Sequence, residues 1–167
     1  LNRLSLAWGG TTSPRTVLAG DRQIGTTGVR LPIDVDLKSF ADGAFMALFD
    51  DAGEQIDASV GRAGVNVTVL DPVSGEVLEM AGFDTTSNQF ESEALVEFVD
   101  AIEPGLPALV ATRCDATAFL TDDTYTALNT LGADVTPEVL AGNYFSIVGV
   151  KGATPGSAAV QIDPNDA

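Results

Sequence analysis

Apolar residues occupy Leu31, Ile33, Val35 and Leu37, with Asp34 and Asp36 between them. That period of two predicts a half-buried strand, and Pro32 near its start marks an edge, where a missing N–H is tolerated. Ala44–Phe49 is a nearly continuous apolar run and predicts a buried strand, which Asp50-Asp51-Ala52-Gly53 turns into a short strand around Ile56. Val65–Leu70 and Glu76–Met80 predict a hairpin joined at Asp71-Pro72-Val73-Ser74-Gly75. In that loop Asp can bond the backbone two residues on, Pro presets φ, and Gly tolerates φ > 0. Ala108–Thr112, Phe145–Lys151 and Ala158–Ile162 predict further strands.

Elsewhere the period lengthens. Leu95, Phe98, Val99 and Ile102 share one helical face, Asn88 and Glu91 have capping-box spacing, and Pro104-Gly105 stops the helix. Thr121, Asp122 and Asp123 open a second helix faced by Tyr125, Leu128 and Leu131 and closed by Gly132. Thr136-Pro137-Glu138 opens a short third helix with Pro at its first position. This irregular interleaving predicts an α+β fold: two packed, mainly antiparallel sheets flanked by two or three short helices. Residues 31–167 form the single globular domain, and residues 1–30 an extended N-terminal arm. The expected core is Phe45, Leu48, Phe49, Val67, Val69, Leu95, Phe98, Leu109, Leu128 and Ile147.

In the arm, Leu4, Leu6 and Trp8 alternate with small residues as a short strand would, and a Gly/Thr/Ser/Pro-rich stretch follows to Gly28. Such a segment buries too little area to offset its own ordering entropy and is ordered only along something else. Its charge is distinct. Arg3, Arg15, Arg22 and Arg30 stand against Asp21 alone, whereas residues 31–167 set four basic residues against 23 acidic ones, so that the net charge of −16 comes entirely from them. Two readings are open: an acidic, well-solvated body with a linker or crossover strand before it, or an arm that docks on an acidic neighbour. A body this acidic repels phosphates and anionic lipid, which argues against nucleic acid and membrane insertion. No apolar run approaches the ~18 residues of a membrane span. The chain begins at Leu1 with no signal segment in view, and reads as a processed or partial product.

Candidate chemistry is sparse. The chain has no histidine and one cysteine, Cys114, so Ser-His-Asp and Cys-His pairs, histidine metal sites and an internal disulfide are all excluded. Cys114 reads as a strand-end residue. Gly149-Val-Lys-Gly152 lacks the Ser or Thr of a phosphate loop. Asp34 with Asp36, and Asp50, Asp51, Glu54 and Asp57, are solvated acids without calcium-loop spacing. Asn66-Val67-Thr68 matches a glycosylation sequon by accident within a strand. No catalytic residue, metal site or cofactor is expected, and the chain reads as a non-enzyme.

The segment from Val65 to Asp84, the strand Phe145-Ser-Ile-Val-Gly-Val-Lys-Gly152, Leu95–Phe98, Val110–Arg113, Leu120-Thr121 and Leu131-Gly132 together resemble the interleukin-like EMT-inducer domain, also called the PANDER-like or GG domain, over roughly residues 60–155. The resemblance implies an extracytoplasmic, non-catalytic domain. Animal members carry disulfides, so a chain with one cysteine resembles a microbial or viral member. The family's glycan site resembles an Arg-Asp-Arg constellation. Its first Arg corresponds to Arg62; its Asp falls on Cys114, with Asp115 adjacent; its last Arg falls near Gly142. Arg62 and Asp115 are therefore the candidate glycan-binding residues.

The expected function is a structural or adhesion subunit. Its arm (Arg3, Leu4, Leu6, Trp8, Arg15, Arg22 and Arg30) would dock on copies of itself or on other subunits of an extracellular or virion-surface assembly, such as a phage tail, fibre, capsid decoration or cell-surface appendage. The alternative is a soluble extracellular glycan-binding module.

Overall fold

A computed structural model describes residues 15–17 and 22–164. Among the described residues, nine strands and three helices follow one another. The strands are β1 (Arg15–Val17), β2 (Asp34–Phe40), β3 (Gly43–Phe49), β4 (Gln55–Asp57), β5 (Gly64–Leu70), β6 (Val77–Phe83), β7 (Pro107–Arg113), β8 (Tyr144–Val150) and β9 (Ala159–Asp163). The helices are α1 (Gln89–Asp100), α2 (Asp122–Asn129) and α3 (Pro137–Leu140). The fold class is α+β, as the periodicities predict.

The strands form two layers. In one, β2 lies between β1 and β3, and β4 borders β3; in the other the order is β9-β8-β7-β5-β6. Every pairing inside each layer is antiparallel. The layers are joined where Phe40 of β2 pairs in parallel with Arg113 of β7. Strand β7 keeps β5 on one side throughout, but on the other it leaves β8 after the Ala111–Ser146 pair and meets β2 at Arg113.

A strand changing partners leaves backbone groups without a ladder, and buried groups of that kind must be bonded elsewhere. The Ser39 hydroxyl does this. It accepts from the Thr112 N–H at 2.9 Å, donates to the Phe145 carbonyl at 2.9 Å and lies 2.6 Å from the Ser146 hydroxyl. Thr112 Oγ1 completes the junction by accepting from the Phe145 N–H at 3.1 Å. Ser39, Thr112 and Ser146 are all fully buried.

Alternation along the larger layer feeds two cores. Val65, Val67, Val69, Val110, Phe145 and Ile147 face Leu95, Val99 and Leu128 of the helices. Leu70, Leu109, Ala111, Val148 and Val150 face Val35, Leu37, Met46 and Leu48 of the smaller layer. The larger layer is thus covered on both faces, which is why β5, β7 and β8 lack exposed positions.

The signature strand Val148-Gly-Val-Lys-Gly152 has a physical reading at each position. A Cβ on Gly149 would lie 2.2 Å from the Leu131 carbonyl oxygen, so only glycine lets the chain after α2 press onto β8. Val150 N–H then donates to that carbonyl at 2.9 Å. Lys151 Nζ reaches the Val99 carbonyl at the end of α1, at 2.6 Å, placing a cation on the negative end of the helix dipole. The hairpin loop likewise holds as its chemistry predicts: Asp71 Oδ1 accepts from the Val73 and Ser74 N–H groups, both at 2.8 Å.

Several expectations are corrected. Phe45 is 38% exposed: it faces away from both cores and lies against Phe40, ring centroids 5.7 Å apart. Phe98 is half-buried and leans on Phe83 at 5.6 Å. The packed body does not begin at residue 31. Ile24 is fully buried with Leu31, Gln23 bridges Arg30, and the Thr26 N–H donates to the Ser157 carbonyl at 2.8 Å. Short turns bond locally here, so a Gly/Thr-rich composition conceals a segment seated by one isoleucine.

Ser39→Ala should cost about 1–3 kcal/mol in urea unfolding, because it strands buried partners rather than deleting a surface bond. Phe145→Ala should cost about 3–5 kcal/mol. Phe45→Ala should stay well below Phe145→Ala; equal losses would mean that the exposed ring has been placed on the wrong face.

Candidate functional site

The end of β6, the start of β5 and the end of β7 converge on Arg62. Its side chain crosses the outer strand β6 like a strap. One guanidinium N–H donates to the Gly82 carbonyl at 2.9 Å, and another reaches Glu91 Oε1 in the first turn of α1 at 2.8 Å. A Cβ on Gly82 would lie 2.7 Å from both Arg62 Cβ and Asn66 Oδ1, so this crossing needs glycine beneath it. Asn66, fully buried among the valines of β5, fixes the base of the strap. Its Oδ1 accepts from the Arg62 N–H at 2.9 Å and its Nδ2 donates to the Arg62 carbonyl at 2.8 Å. Beside it, Arg113 donates to the Gly61 carbonyl at 3.1 Å, while its buried Nε–H has no hydrogen-bond partner among the described residues.

Glu91 explains a partial miss. Asn88 caps α1, accepting from the Glu91 N–H at 3.1 Å, but the glutamate side chain is held by Arg62. The reciprocal capping box forms instead on α2, between Thr121 and Thr124. Asn66, Gly82 and Glu91 were not legible as one unit, because only folding brings together three positions so far apart in sequence. The available signal was an asparagine inside a run of valines, where a buried amide requires fixed partners.

Asp84 follows β6. Its carboxylate accepts from the hydroxyls of Thr86 and Ser87, which hold it below the ordinary aspartate range, with a smaller contribution from the Arg62 charge.

Asp115 lies on a different side of this end. Cys114 adopts φ +60°, which ends the extended strand and turns the next residue away. The Asp115 carboxylate then accepts from the Thr117 N–H at 3.1 Å and hydroxyl at 2.7 Å, and that hydroxyl also accepts from the Gly142 N–H at 2.8 Å. Nearby, burial pushes the Tyr125 phenol up, and the charges of Asp115, Glu138 and Asp122 push it further. Arg62 and Asp115 therefore occupy the same end of the sheet with separate partners: one is bound over β6, the other is folded into its own turn.

The arm residues divide. Arg3, Leu4, Leu6 and Trp8 lie outside the described residues. Arg15 begins β1, whose three residues pair with Asp36–Lys38 of β2. Arg22 is committed within its own chain: it bonds the Pro32 carbonyl and reaches Asp34 and Asp51, both at 2.8 Å. Arg30 sits in the bridge with Gln23. Among the described residues, no cluster of three or more acidic or cysteine side chains is arranged to hold a metal ion. No helix among them is long and apolar enough to cross a membrane.

Two comparisons place this architecture. Residues 63–153 match the profile of the interleukin-like EMT inducer family. The match runs from just before β5 to just after β8, and so includes Asn66, Gly82, Glu91 and Lys151. The chain is also similar to the human "Cell migration-inducing and hyaluronan-binding protein", 35% identical over 83 residues. Those residues make up 50% of this chain and 6% of the human protein, so the chain spans a small part of that relative.

Asn66→Leu should destabilise the domain by about 1–3 kcal/mol and free Arg62, since it removes both partners at the base of the strap. Acid should act through Asp84. A carboxylate whose folded pKa is depressed contributes stability above its unfolded pKa of ~3.9, and that contribution is lost as pH falls through the folded value. Asp84→Asn should therefore flatten the acid limb of a stability–pH curve, measured by thermal melts, and leave the neutral limb parallel to wild type.

Proposed function

The chain belongs to the interleukin-like EMT inducer family, and on that premise we propose that it is a non-catalytic structural or adhesion module of an extracellular assembly, joined to neighbouring subunits through its N-terminal segment. The observation that carries this reading is β1. A three-residue strand lies on the edge of β2 in the register Arg15–Lys38, Thr16–Leu37 and Val17–Asp36. Edge strands accept added strands, and backbone pairing at such an edge is the same whether the strand comes from its own chain or from another copy. Exchange of residues 1–17 between copies would link subunits without a new interface. Backbone pairing and Trp8 would supply the affinity. The arginines contribute less than their number suggests, because Arg22 is already neutralised by Asp34 and Asp51.

Placement outside the cytoplasm accords with a human relative named for cell migration and hyaluronan binding. The finer proposal is a microbial or viral member serving on a virion or cell-surface appendage; its support is the single cysteine, which leaves the domain held by packing alone.

A second reading is a soluble glycan-binding module, favoured by the same relative's name. Arg62, with its side chain 48% exposed, and Asp115 are its candidate contacts. A chain with a net charge of −16 opposes a polyanionic glycan, so this reading favours neutral sugars.

Light scattering on the full chain and on a chain lacking residues 1–21 separates the two. Residues 22–30 are retained because Ile24 belongs to the core. The adhesion reading expects the full chain to assemble, the shortened chain to stay folded and monomeric, and Trp8→Ala to weaken assembly more than Arg3→Ala. A full chain that is monomeric at millimolar concentration rejects it. Calorimetry with neutral oligosaccharides, lost on Arg62→Ala, would favour the second reading.

A further inference from the structure

Strand β6 is the outer strand of the larger layer, and among the described residues it pairs with β5 alone. Natural edges are commonly blunted by proline, by lysine or by very short length. β6 has seven residues and neither of those residue types. Its protection is confined to its two ends. A register shift opposite Val69 and Leu70 bulges the strand at Leu78, and the Arg62 strap closes it at Gly82.

Between those ends the two faces of the strand differ in chemistry. Leu78 and Met80 are 47% and 46% exposed. Met80 stands opposite Thr68, whose hydroxyl is bonded to the Ala58 carbonyl, so the Met80 face is shared with the segment leading to exposed Val60. Glu79 points to the opposite face, where a depression of about 290 Å³ is lined by Leu78, Glu79, Ile102, Glu103 and Leu106 among others. Neither Glu79 nor Glu103 takes part in an ion pair among the described residues.

We propose that the β6 edge is a docking strand for an extended peptide from another protein in which apolar residues alternate with lysine or arginine. Backbone hydrogen bonds to the open edge would hold such a segment. Because successive side chains of a strand point to opposite faces, its apolar residues would lie beside Met80 and its basic residues beside Glu79 and Glu103. The alternation of the guest mirrors the alternation of the edge. This surface is distinct from the β2 edge that receives β1.

The test uses the full chain and an acetylated, fluorescently labelled Lys-Val-Lys-Val-Lys-Val-Lys peptide. Two controls accompany it, one with glutamate in place of lysine and one with proline at the central valine. Anisotropy titrations should show binding of the lysine peptide only, weakening as salt rises. Amide shifts on binding should concentrate in residues 77–81. Met80→Lys, an exposed change that leaves both cores intact, should weaken binding at least tenfold. Glu79→Gln with Glu103→Gln should weaken it several-fold and remove most of the salt dependence. The proposal is overturned by absence of binding, by equal binding of either control, or by shifts that map to β4 or β9. It is also overturned if the free chain dimerises in a manner abolished by Met80→Lys, since a second copy would then be the occupant.

Discussion

The two layers of this fold depend on one hydroxyl. Strand β7 cannot serve β8 and β2 over the same residues, so somewhere along it the ladder must break inside the core. Ser39 sits at that break and carries three contacts, to Thr112, Phe145 and Ser146. Without it the fully buried groups at the junction would pay the desolvation cost of unmade hydrogen bonds, and the smaller layer would be tied to the larger one mainly by apolar contact and the single Phe40–Arg113 pairing. Apolar contact fixes that two faces meet; the serine fixes where. Register along β2 then follows, and with it the edge on which β1 lies.

The same division of labour runs through the family-matched region. Its most recognisable residues are those that let backbone approach backbone. Gly149 admits the Leu131 carbonyl, Gly82 admits the Arg62 strap, and Lys151 closes the exposed end of α1 on the Val99 carbonyl. These are conditions of assembly, not of chemistry, and they suit a scaffold whose binding surfaces can vary.

Strands and helices were legible because each is written in local periodicity and local turn chemistry. The Asp71 loop and the Thr121 cap each act within a few residues of themselves. Phe45 was misread because a continuous apolar run gives no face: alternation in β3 exposes it, and Phe40 shields it only in part. The candidate site was harder still. Arg62 was visible as a position, but its partners lie 20 and 29 residues away, and what decides its role is contact with Gly82 and Glu91. Asp115 was visible only as the neighbour of Cys114, and the left-handed turn at Cys114, unusual for a residue other than glycine, sets its direction. Of the arm's arginines, Arg22 works inside the chain, between Asp34 and Asp51, which its charge alone did not reveal.

Lys151 has a practical corollary. The chain has two lysines, Lys38 and Lys151. Lys38 is only 7% exposed, and the ammonium of Lys151 is engaged with the Val99 carbonyl. Acylating reagents will therefore react slowly with either lysine side chain while the domain is folded. Lysine-directed crosslinkers will under-report contacts of this domain, and the rate at which Lys151 becomes modified serves as a chemical clock for opening of the α1–β8 corner.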